Sequence, residues 1–369
     1  MENKKIKVGI TQGDINGVGY EVMLKALEDE RMLELCTPVI YGSAKIAAYY
    51  RKGAITSPMQ INQVSQASEA REDQCNIINV VGEDVKVEPG VPSSESGAAA
   101  FAALERAVTD LRAGDIDVLV TAPIDKHTIQ SDTFQFPGHT EYLEASLGEP
   151  GDKALMIMCN PATSLRVALV TAHLPVSKIA AAITKEAVLG KLKAFERSLR
   201  RDFGVNRPRI AVLSLNPHAG EEGLLGSEEK EIIEPAIAEA QAEKINCFGP
   251  YAADGFFGNG QFAKFDGVLA MYHDQGLAPF KTMAMNSGVN FTAGLPFVRT
   301  SPDHGTAYDI AGKGIADADS MRQAIFAAID VWRSRVSYDR AYANPLRKQY
   351  IEKNKSDNVV LDLTKNDES

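Results

Sequence analysis

The fold class is decided by three successive segments, LRVALVT at residues 165–171, KEAVLGKLKAFERSLRRD at 185–202 and RIAVLSL at 209–215. The outer two are short apolar runs of the kind that form buried strands. The middle segment repeats apolar residues at helical spacing. A strand, a helix and a second strand in this order are the unit of parallel sheets covered by helices, so the sequence predicts an α/β protein.

The same alternation extends in both directions along the chain. Further strands are predicted at 5–11, 37–42, 117–122 and 267–272, and further helices at 19–30, 97–113, 227–244 and 321–336. Cores stop growing at roughly 250–300 residues, and the chain has 369. We therefore expect two α/β/α domains, one from about residues 1–125 plus 300–369 and one from about residues 126–299, with a loose tail after Asn354.

Composition excludes several classes of protein. The formal net charge of -10 argues against a general nucleic-acid binder, which would carry an excess of Lys and Arg. The first ten residues lack the apolar segment of a secretory signal, and no apolar run approaches the ~20 residues that span a bilayer. The cysteines suit reduced core thiols, because they are far apart and form no C-x-x-C motif: Cys36, Cys75, Cys159 and Cys247. A cytoplasmic protein is expected.

Three of the six histidines share one setting, because His173, His218 and His273 each end an apolar, strand-like run. Ligands of open α/β sheets bind beyond the carboxyl ends of the strands, so the three imidazoles could converge on one metal ion. The alternative is three isolated polar residues at strand ends. Asp254 and Asp274 are candidates for orienting a ligand or transferring a proton, and each could equally cap a helix or turn.

Groups suited to an anion occur in two segments. PGHTE at 137–141 is typical of a loop that opens a helix, where backbone N–H groups favour an anion and His139 and Thr140 add donors. A plain N-cap by Thr140 is the alternative. Lys281, Asn290 and Arg299 lie in a Gly- and Pro-containing stretch, 275–301, that we expect to form loops over a cleft.

Two glycine-rich segments bear on cofactor binding. GDINGVG at 13–19 follows the first strand but is not G-x-G-x-x-G, so it does not support a Rossmann domain. HGTAYDIAGKGIAD at 304–317 predicts an irregular loop that could wrap a flat ligand with main-chain contacts, or only a tight surface loop.

Together these motifs resemble the 4-hydroxythreonine-4-phosphate dehydrogenase family of pyridoxal-phosphate biosynthesis. The resemblance runs in order from about Val8 to about Asp317 and rests on GD and GVG within 13–19, GHTE at 138–141, TAHLP at 171–175, LNPHAGE at 215–221, YHDQG at 272–276 and GLPFVRT at 294–300. The 304–317 loop is also similar to the adenosine-binding loop of isocitrate and isopropylmalate dehydrogenases. That similarity implies their two-domain fold, with the active site in the interdomain cleft.

The resemblance implies roles for individual residues. A divalent metal, zinc first with cobalt or magnesium as alternatives, would be bound by His173, His218 and His273. The phosphorylated substrate would be bound by His139, Thr140, Lys281, Asn290 and Arg299. NAD, with NADP as the alternative, would be bound by Gly294, His304, Gly305, Asp309 and Gly312. The catalytic groups would be Asp254, Asp274 and Lys281. A homodimer whose active site draws on both subunits is also implied.

The implied activity is the NAD-dependent oxidation and decarboxylation of 4-phosphohydroxy-L-threonine to 3-amino-2-oxopropyl phosphate. A dehydrogenase of D-threonate or D-erythronate 4-phosphate is the alternative within the superfamily. A three-histidine aldolase or hydrolase would leave the 304–317 loop unexplained, and an idle binding protein would leave the retained histidines and cations unexplained. The sequence departs from the family at Ile15, Asn16 and Tyr20, where Pro, Ala and Pro are usual, which puts cofactor-side details in question.

Overall fold

Every predicted strand and helix has a counterpart in the computed structural model, which describes residues 5–82, 84–284 and 286–344. The tail predicted after Asn354 lies outside these residues. The predicted α/β class is confirmed. The division into two domains at about residues 125 and 300 stays a prediction.

The strands are β1 (Ile6–Thr11), β2 (Cys36–Gly42), β3 (Ile61–Val64), β4 (Cys75–Asn79), β5 (Val118–Thr121), β6 (Leu155–Asn160), β7 (Leu165–Leu169), β8 (Arg209–Leu213), β9 (Asn246–Tyr251), β10 (Gly267–Ala270), β11 (Val289–Ala293) and β12 (Arg299–Pro302). The α-helices are α1 (Gly19–Leu27), α2 (Met32–Leu35), α3 (Ala44–Ala54), α4 (Ser94–Ala113), α5 (His139–Leu147), α6 (Val176–Ala182), α7 (Lys185–Arg201), α8 (Glu234–Ala242), α9 (Ala253–Gly258), α10 (His273–Ala284) and α11 (Asp319–Tyr342). Short 3-10 segments lie at Ala67–Glu69, Pro217–Gly223 and Gln261–Lys264, and a π-helical turn, Glu229–Ile233, leads into α8.

The described strands form one sheet in the order β3-β4-β2-β1-β5-β12-β11-β6-β7-β10-β8-β9. The strands from β3 to β12 pair in parallel, and so do those from β7 to β9. The pairings β12–β11, β11–β6 and β6–β7 between these groups are antiparallel, which the alternation of strands and helices did not predict. Short connections explain two of these antiparallel pairings. Four residues join β6 to β7 and five join β11 to β12, which is too few for a parallel crossover.

Local sequence explains the helices that cover this sheet. The Thr184 side chain accepts a hydrogen bond from the Ala187 N–H and caps α7, which then buries Val188, Leu192 and Phe195 at helical spacing. Near the opposite end of α7, the buried Asp202 pairs with Arg335 of α11 at 2.6 Å. This ion pair joins the carboxyl end of α7 to α11.

The prediction that residues 275–301 form loops over a cleft is wrong. Residues 273–284 form α10, and the rest of the stretch supplies β11 and β12. Gly276, which was interpreted as a loop signal, instead permits close packing of α10 on the sheet, since a Cβ there would lie 2.9 Å from atoms of Ala270 and Val167. Pro279 is accommodated within the helix.

The four cysteines are buried and unpaired, as predicted for core thiols. Burial raises the pKa of the Cys36, Cys75 and Cys159 thiols to about 12, so their reactive thiolate form is suppressed. Among the described helices, none is both long and apolar enough to cross a membrane.

Candidate active site

A cavity of about 300 Å³ lies at the centre of the sheet, where β5, β12, β11 and β6 run side by side. We call it the central cavity. It brings together all five residues predicted to bind the phosphorylated substrate: His139, Thr140, Lys281, Asn290 and Arg299. These residues come from two helices and two strands, so their proximity is a product of the tertiary structure.

Arg299, at the start of β12, is the buried cation of the central cavity, with 3% of its surface exposed. Its guanidinium donates to the hydroxyls of Thr121, at 2.6 and 3.1 Å, and of Thr292, at 3.1 Å. Among the described residues, no carboxylate lies within ion-pair distance of it. Burial lowers its pKa to about 10 although the charge of Glu141, which also lines the cavity, partly offsets the effect, so the group stays protonated at neutral pH.

The amino end of α5 faces the same cavity. Gly138 is the N-cap residue and brings no side chain, so Thr140 lies within the first turn and does not cap the helix. Both Gly138 and Thr140 line the cavity. Burial, and then the charges of Arg299 and Lys126, hold the pKa of His139 well below its usual value. Neutral His139 can therefore donate one hydrogen bond without adding charge.

Lys281 of α10 pairs with Asp303, a residue that the sequence reasoning missed. The Lys281 Nζ atom lies 2.8 Å from the Asp303 carboxylate and also donates to its main-chain oxygen at 3.2 Å. The Asp303 side chain is 8% exposed, and burial raises the pKa of its carboxyl while Lys281 partly offsets the rise. The only sequence signal was an acid immediately before the 304–317 loop.

Three buried polar atoms beside the central cavity have no hydrogen-bond partner among the described residues. They are the Asn290 Oδ1, Asp303 Oδ2 and His304 Nε2 atoms. Buried polar atoms are usually hydrogen-bonded, because an unsatisfied one costs about 1–3 kcal/mol. All three residues line the cavity, so a polar ligand there could supply the missing partners.

Two of the three predicted metal ligands also reach the central cavity. The rings of His173 and His273 lie with their centroids 5.8 Å apart. Desolvation, and then the charges of Lys126 and His273, lower the pKa of His173, which favours the neutral imidazole that binds metals. Asp274 lies 2.7 Å from the Nδ1 atom of His273, an arrangement that orients the ring.

The third predicted ligand lies elsewhere. His218 lines a second cavity, of about 470 Å³, together with the predicted catalytic Asp254. Helix α10 separates the two cavities, because His273, Leu277 and Lys281 line the central one and Gln275 and Pro279 the second. Within residues 5–82, 84–284 and 286–344, no three metal-binding side chains lie close enough to hold one ion.

The glycine-rich 304–317 loop begins at the central cavity and is fixed to the amino-terminal turn. His304 and Gly305 line the cavity. Beyond them, the Thr306 oxygen accepts from the Val18 N–H at 2.9 Å, and the Tyr308 hydroxyl donates to the buried Asp14 carboxylate at 2.9 Å. The sequence therefore predicted the loop but missed Asp14 as its anchor.

The remaining predicted cofactor residues divide between two places. Gly312 has a φ of +78° and donates its N–H to the buried Glu21, and Asp309 lies exposed on the same loop. Gly294 lies apart from them and lines another cavity with Lys153 and Arg335. The structure thus brings together four of the five predicted cofactor residues on one loop.

Two residues that depart from the family pattern, Asn16 and Tyr20, make hydrogen bonds in the amino-terminal part of the chain near this loop. The side chain of Asn16 donates to the Val91 oxygen at 2.8 Å and accepts from the Glu88 N–H at 2.8 Å, which fixes residues 88–91 beside the loop. Tyr20 is buried, and its hydroxyl donates to Gln12 at 2.6 Å. Both side chains have local hydrogen-bond partners, and neither lines the central cavity.

A mixed α/β sheet with a polar, cation-lined cavity at its centre is typical of α/β proteins that bind small anionic molecules. A family model described as "Pyridoxal phosphate biosynthetic protein PdxA" matches residues 34–328. The chain belongs to this PdxA family.

Curated relatives and solved structures agree with the family. A protein named 4-hydroxythreonine-4-phosphate dehydrogenase from Bacteroides thetaiotaomicron is 60% identical over 368 residues, covering 100% of both chains. A relative of the same name from Sulfurihydrogenibium sp. is 39% identical and covers 89% of this chain and 99% of its own. The solved structure of 4-hydroxythreonine-4-phosphate dehydrogenase from Klebsiella pneumoniae is 33% identical, with a TM-score of 0.77, and the match covers 90% of this chain and 99% of that one.

Proposed function

We propose that this protein oxidises 4-phosphohydroxy-L-threonine with NAD and that the product loses CO2 to give 3-amino-2-oxopropyl phosphate, in pyridoxal 5'-phosphate biosynthesis. The observation that carries the proposal is the buried guanidinium of Arg299, which forms no ion pair among the described residues, in the central cavity of a chain with net charge -10. The relatives' names favour this substrate over D-threonate or D-erythronate 4-phosphate.

The substrate phosphate would lie against the amino end of α5. Helix N–H groups and Arg299 favour a dianion there, while neutral His139 and Thr140 add hydrogen-bond donors without repelling the cations. Lys281 would approach from α10, held by Asp303. Asn290 would accept a hydrogen bond from a donor group of the substrate through its unpartnered Oδ1 atom.

A divalent metal fits the donor set of His173 and His273, because their imidazoles are close and that of His173 is held neutral. Zinc is proposed first and cobalt or magnesium as alternatives. When bound, such an ion lowers the pKa of a hydroxyl group and stabilises developing negative charge. His218 would be the third ligand.

A homodimer would bring His218 to the other two histidines. Within one chain, α10 lies between them, so a second copy is the simplest source of the third imidazole. Exposed apolar side chains flank both places: Leu174 and Val176 follow His173, and Leu224 and Leu225 follow His218. Such side chains gain by burial between two copies.

NAD, or NADP as the alternative, would contact the 304–317 loop through its main chain, with His304, Gly305, Asp309 and Gly312 as the named contacts. When bound there, NAD would supply the hydride acceptor for oxidation of the substrate carbon. Asp14 and Glu21 would hold this loop in place from the amino-terminal turn.

Asp254 and Asp274 are the proposed proton-transfer and orienting carboxylates. Asp274 accepts a hydrogen bond from His273 and is suited to orienting that ring. Asp254 lies beside His218 in the second cavity, so in the proposed dimer it would accompany that histidine into the shared site. Lys281 could donate a proton or neutralise charge near the substrate.

We also propose a cytoplasmic location and a division into two domains, about residues 1–125 plus 300–369 and about residues 126–299, that meet at the central cavity. Strands on either side of the cavity come from these two parts of the chain.

The test is to incubate metal-loaded protein with NAD and either 4-phosphohydroxy-L-threonine or erythronate 4-phosphate, and to follow the absorbance of NADH. Turnover of the amino acid alone is expected. Turnover of the sugar acid alone would replace the substrate and retain the reaction class, and no turnover of either would refute the proposal.

A further inference from the structure

The segment that carries His218 has an unusual backbone. Residues 218–222 all have positive φ, between 41° and 75°, and only one of the five is glycine. L-residues rarely adopt this conformation, because the Cβ atom crowds the backbone. A run of five such residues keeps its shape only when surrounding groups fix it.

Glu229, at the start of the π-helical turn, is the group that fixes the base of this segment. Its Oε1 atom accepts hydrogen bonds from the N–H groups of Leu215 and Asn216, at 2.8 and 2.7 Å. Its Oε2 atom accepts from the Asn216 side chain at 3.0 Å. The same oxygen leaves no room for a side chain at Gly220, since a Cβ there would lie 2.6 Å away.

Glu229 is a buried acid that accepts hydrogen bonds from residues 215 and 216. The residue is 2% exposed, and among the described residues it has no cationic partner within ion-pair distance. A buried carboxylate is costly unless hydrogen bonds compensate for its lost hydration. What this carboxylate contacts is the main chain immediately before His218.

We propose that Glu229 is the positioning residue for His218: its buried carboxylate fixes residues 215–222 so that the His218 imidazole is presented for metal binding. This inference rests on the proposed function, because it takes His218 as a metal ligand. Outer groups that orient a ligand typically contribute about 10- to 100-fold to metal affinity.

Four variants separate positioning from folding. Glu229→Gln keeps the side-chain volume and one acceptor oxygen. Its new NH2 group would face the side-chain NH2 group of Asn216, which is itself a donor and also donates to Glu228 at 2.7 Å. Glu229→Ala removes all three hydrogen bonds. Glu231→Gln is the matched control, because Glu231 is an exposed residue of the same turn. His218→Ala reports the loss of the ligand itself.

The measurements are Co²⁺ affinity, by titration of the metal-free full chain, and hydrogen exchange of the amides of Leu215 and Asn216. We expect Co²⁺ binding to weaken by about tenfold in Glu229→Gln and about 100-fold in Glu229→Ala, with faster exchange of both amides. Glu231→Gln should match the wild type. With substrate and NAD, kcat should fall while KM for the phosphorylated substrate stays unchanged.

Two results would overturn the proposal, and they are distinguishable. If Glu229→Gln, with a native circular dichroism spectrum and accelerated amide exchange, binds Co²⁺ as tightly as the wild type, the positioning role is wrong and the proposed function stands. If the wild type and His218→Ala bind Co²⁺ equally, His218 is no ligand, and the positioning role fails together with the proposed three-histidine metal site, while NADH formation still decides the proposed reaction. Glu229→Gln suffices for this decision even where Glu229→Ala does not fold.

Discussion

Intersubunit complementation gives the sharpest prediction for the proposed shared site. His173→Ala and His218→Ala homodimers should each lack activity, because every site loses one ligand. In a heterodimer of the two variants, one site lacks both ligands and the other is complete. This follows from the position of α10, which separates His218 from His173 and His273 within one chain.

The expected magnitude follows from counting sites. A purified heterodimer has one intact site of two, so its kcat per dimer should be about half that of the wild type, and a random mixture of subunits should give about one quarter. The assay is NADH formation from differently tagged, coexpressed subunits purified on both tags. A heterodimer of His173→Ala with His273→Ala is the control, because it has no complete site under the same geometry.

An inactive His173→Ala and His218→Ala heterodimer would refute the reasoning. If each site were formed within a single chain, both sites of this heterodimer would lack one histidine and neither would be active. Activity in the control heterodimer would also contradict the assignment, since it would require His173 and His273 to belong to different sites.

Three further predictions concern single substitutions. Arg299→Lys keeps a buried cation but loses the guanidinium fork, so KM for the phosphorylated substrate should rise about tenfold in steady-state assays; an unchanged KM would exclude a phosphate contact. Tyr308→Phe removes the hydrogen bond to Asp14 and should raise KM for NAD about fivefold with KM for the phosphorylated substrate unchanged, whereas equal changes in both would speak against a cofactor loop. Arg335→Met leaves Asp202 buried without its cation and should lower the free energy of unfolding in urea by about 3–5 kcal/mol; a loss under about 1 kcal/mol would show that the pair is dispensable.

Periodicity and apolar runs were sufficient to predict the principal strands and helices, because these elements satisfy their hydrogen bonds and bury their apolar faces in ways that repeat along the sequence. The prediction failed at residues 275–301, where Gly276 and Pro279 suggested loops. Their effect depends on what packs against them: Gly276 lies against β7 and β10, where a small residue is needed.

Some residues of the candidate site were predicted from the sequence and others were missed, because the role of a residue also depends on what packs against it. Arg299 and Lys281 belong to recognisable motifs, and the structure places both in the central cavity. Asp303 and Glu229 gave no comparable signal, since an acid in a polar segment is usually a solvated surface residue. Only burial against Lys281, or beneath the main chain of residues 215 and 216, distinguishes them.

The sequence by itself determined the α/β class, the family motifs and the types of side chain available for chemistry. The tertiary structure decided which of them meet. His173 and His273 are 100 residues apart and lie together because β7 and β10 are neighbours in the sheet, whereas His218, which follows β8 on the other side of β10, is separated from them by α10. Distances between remote segments depend on strand order and helix packing, which local patterns of sequence do not encode.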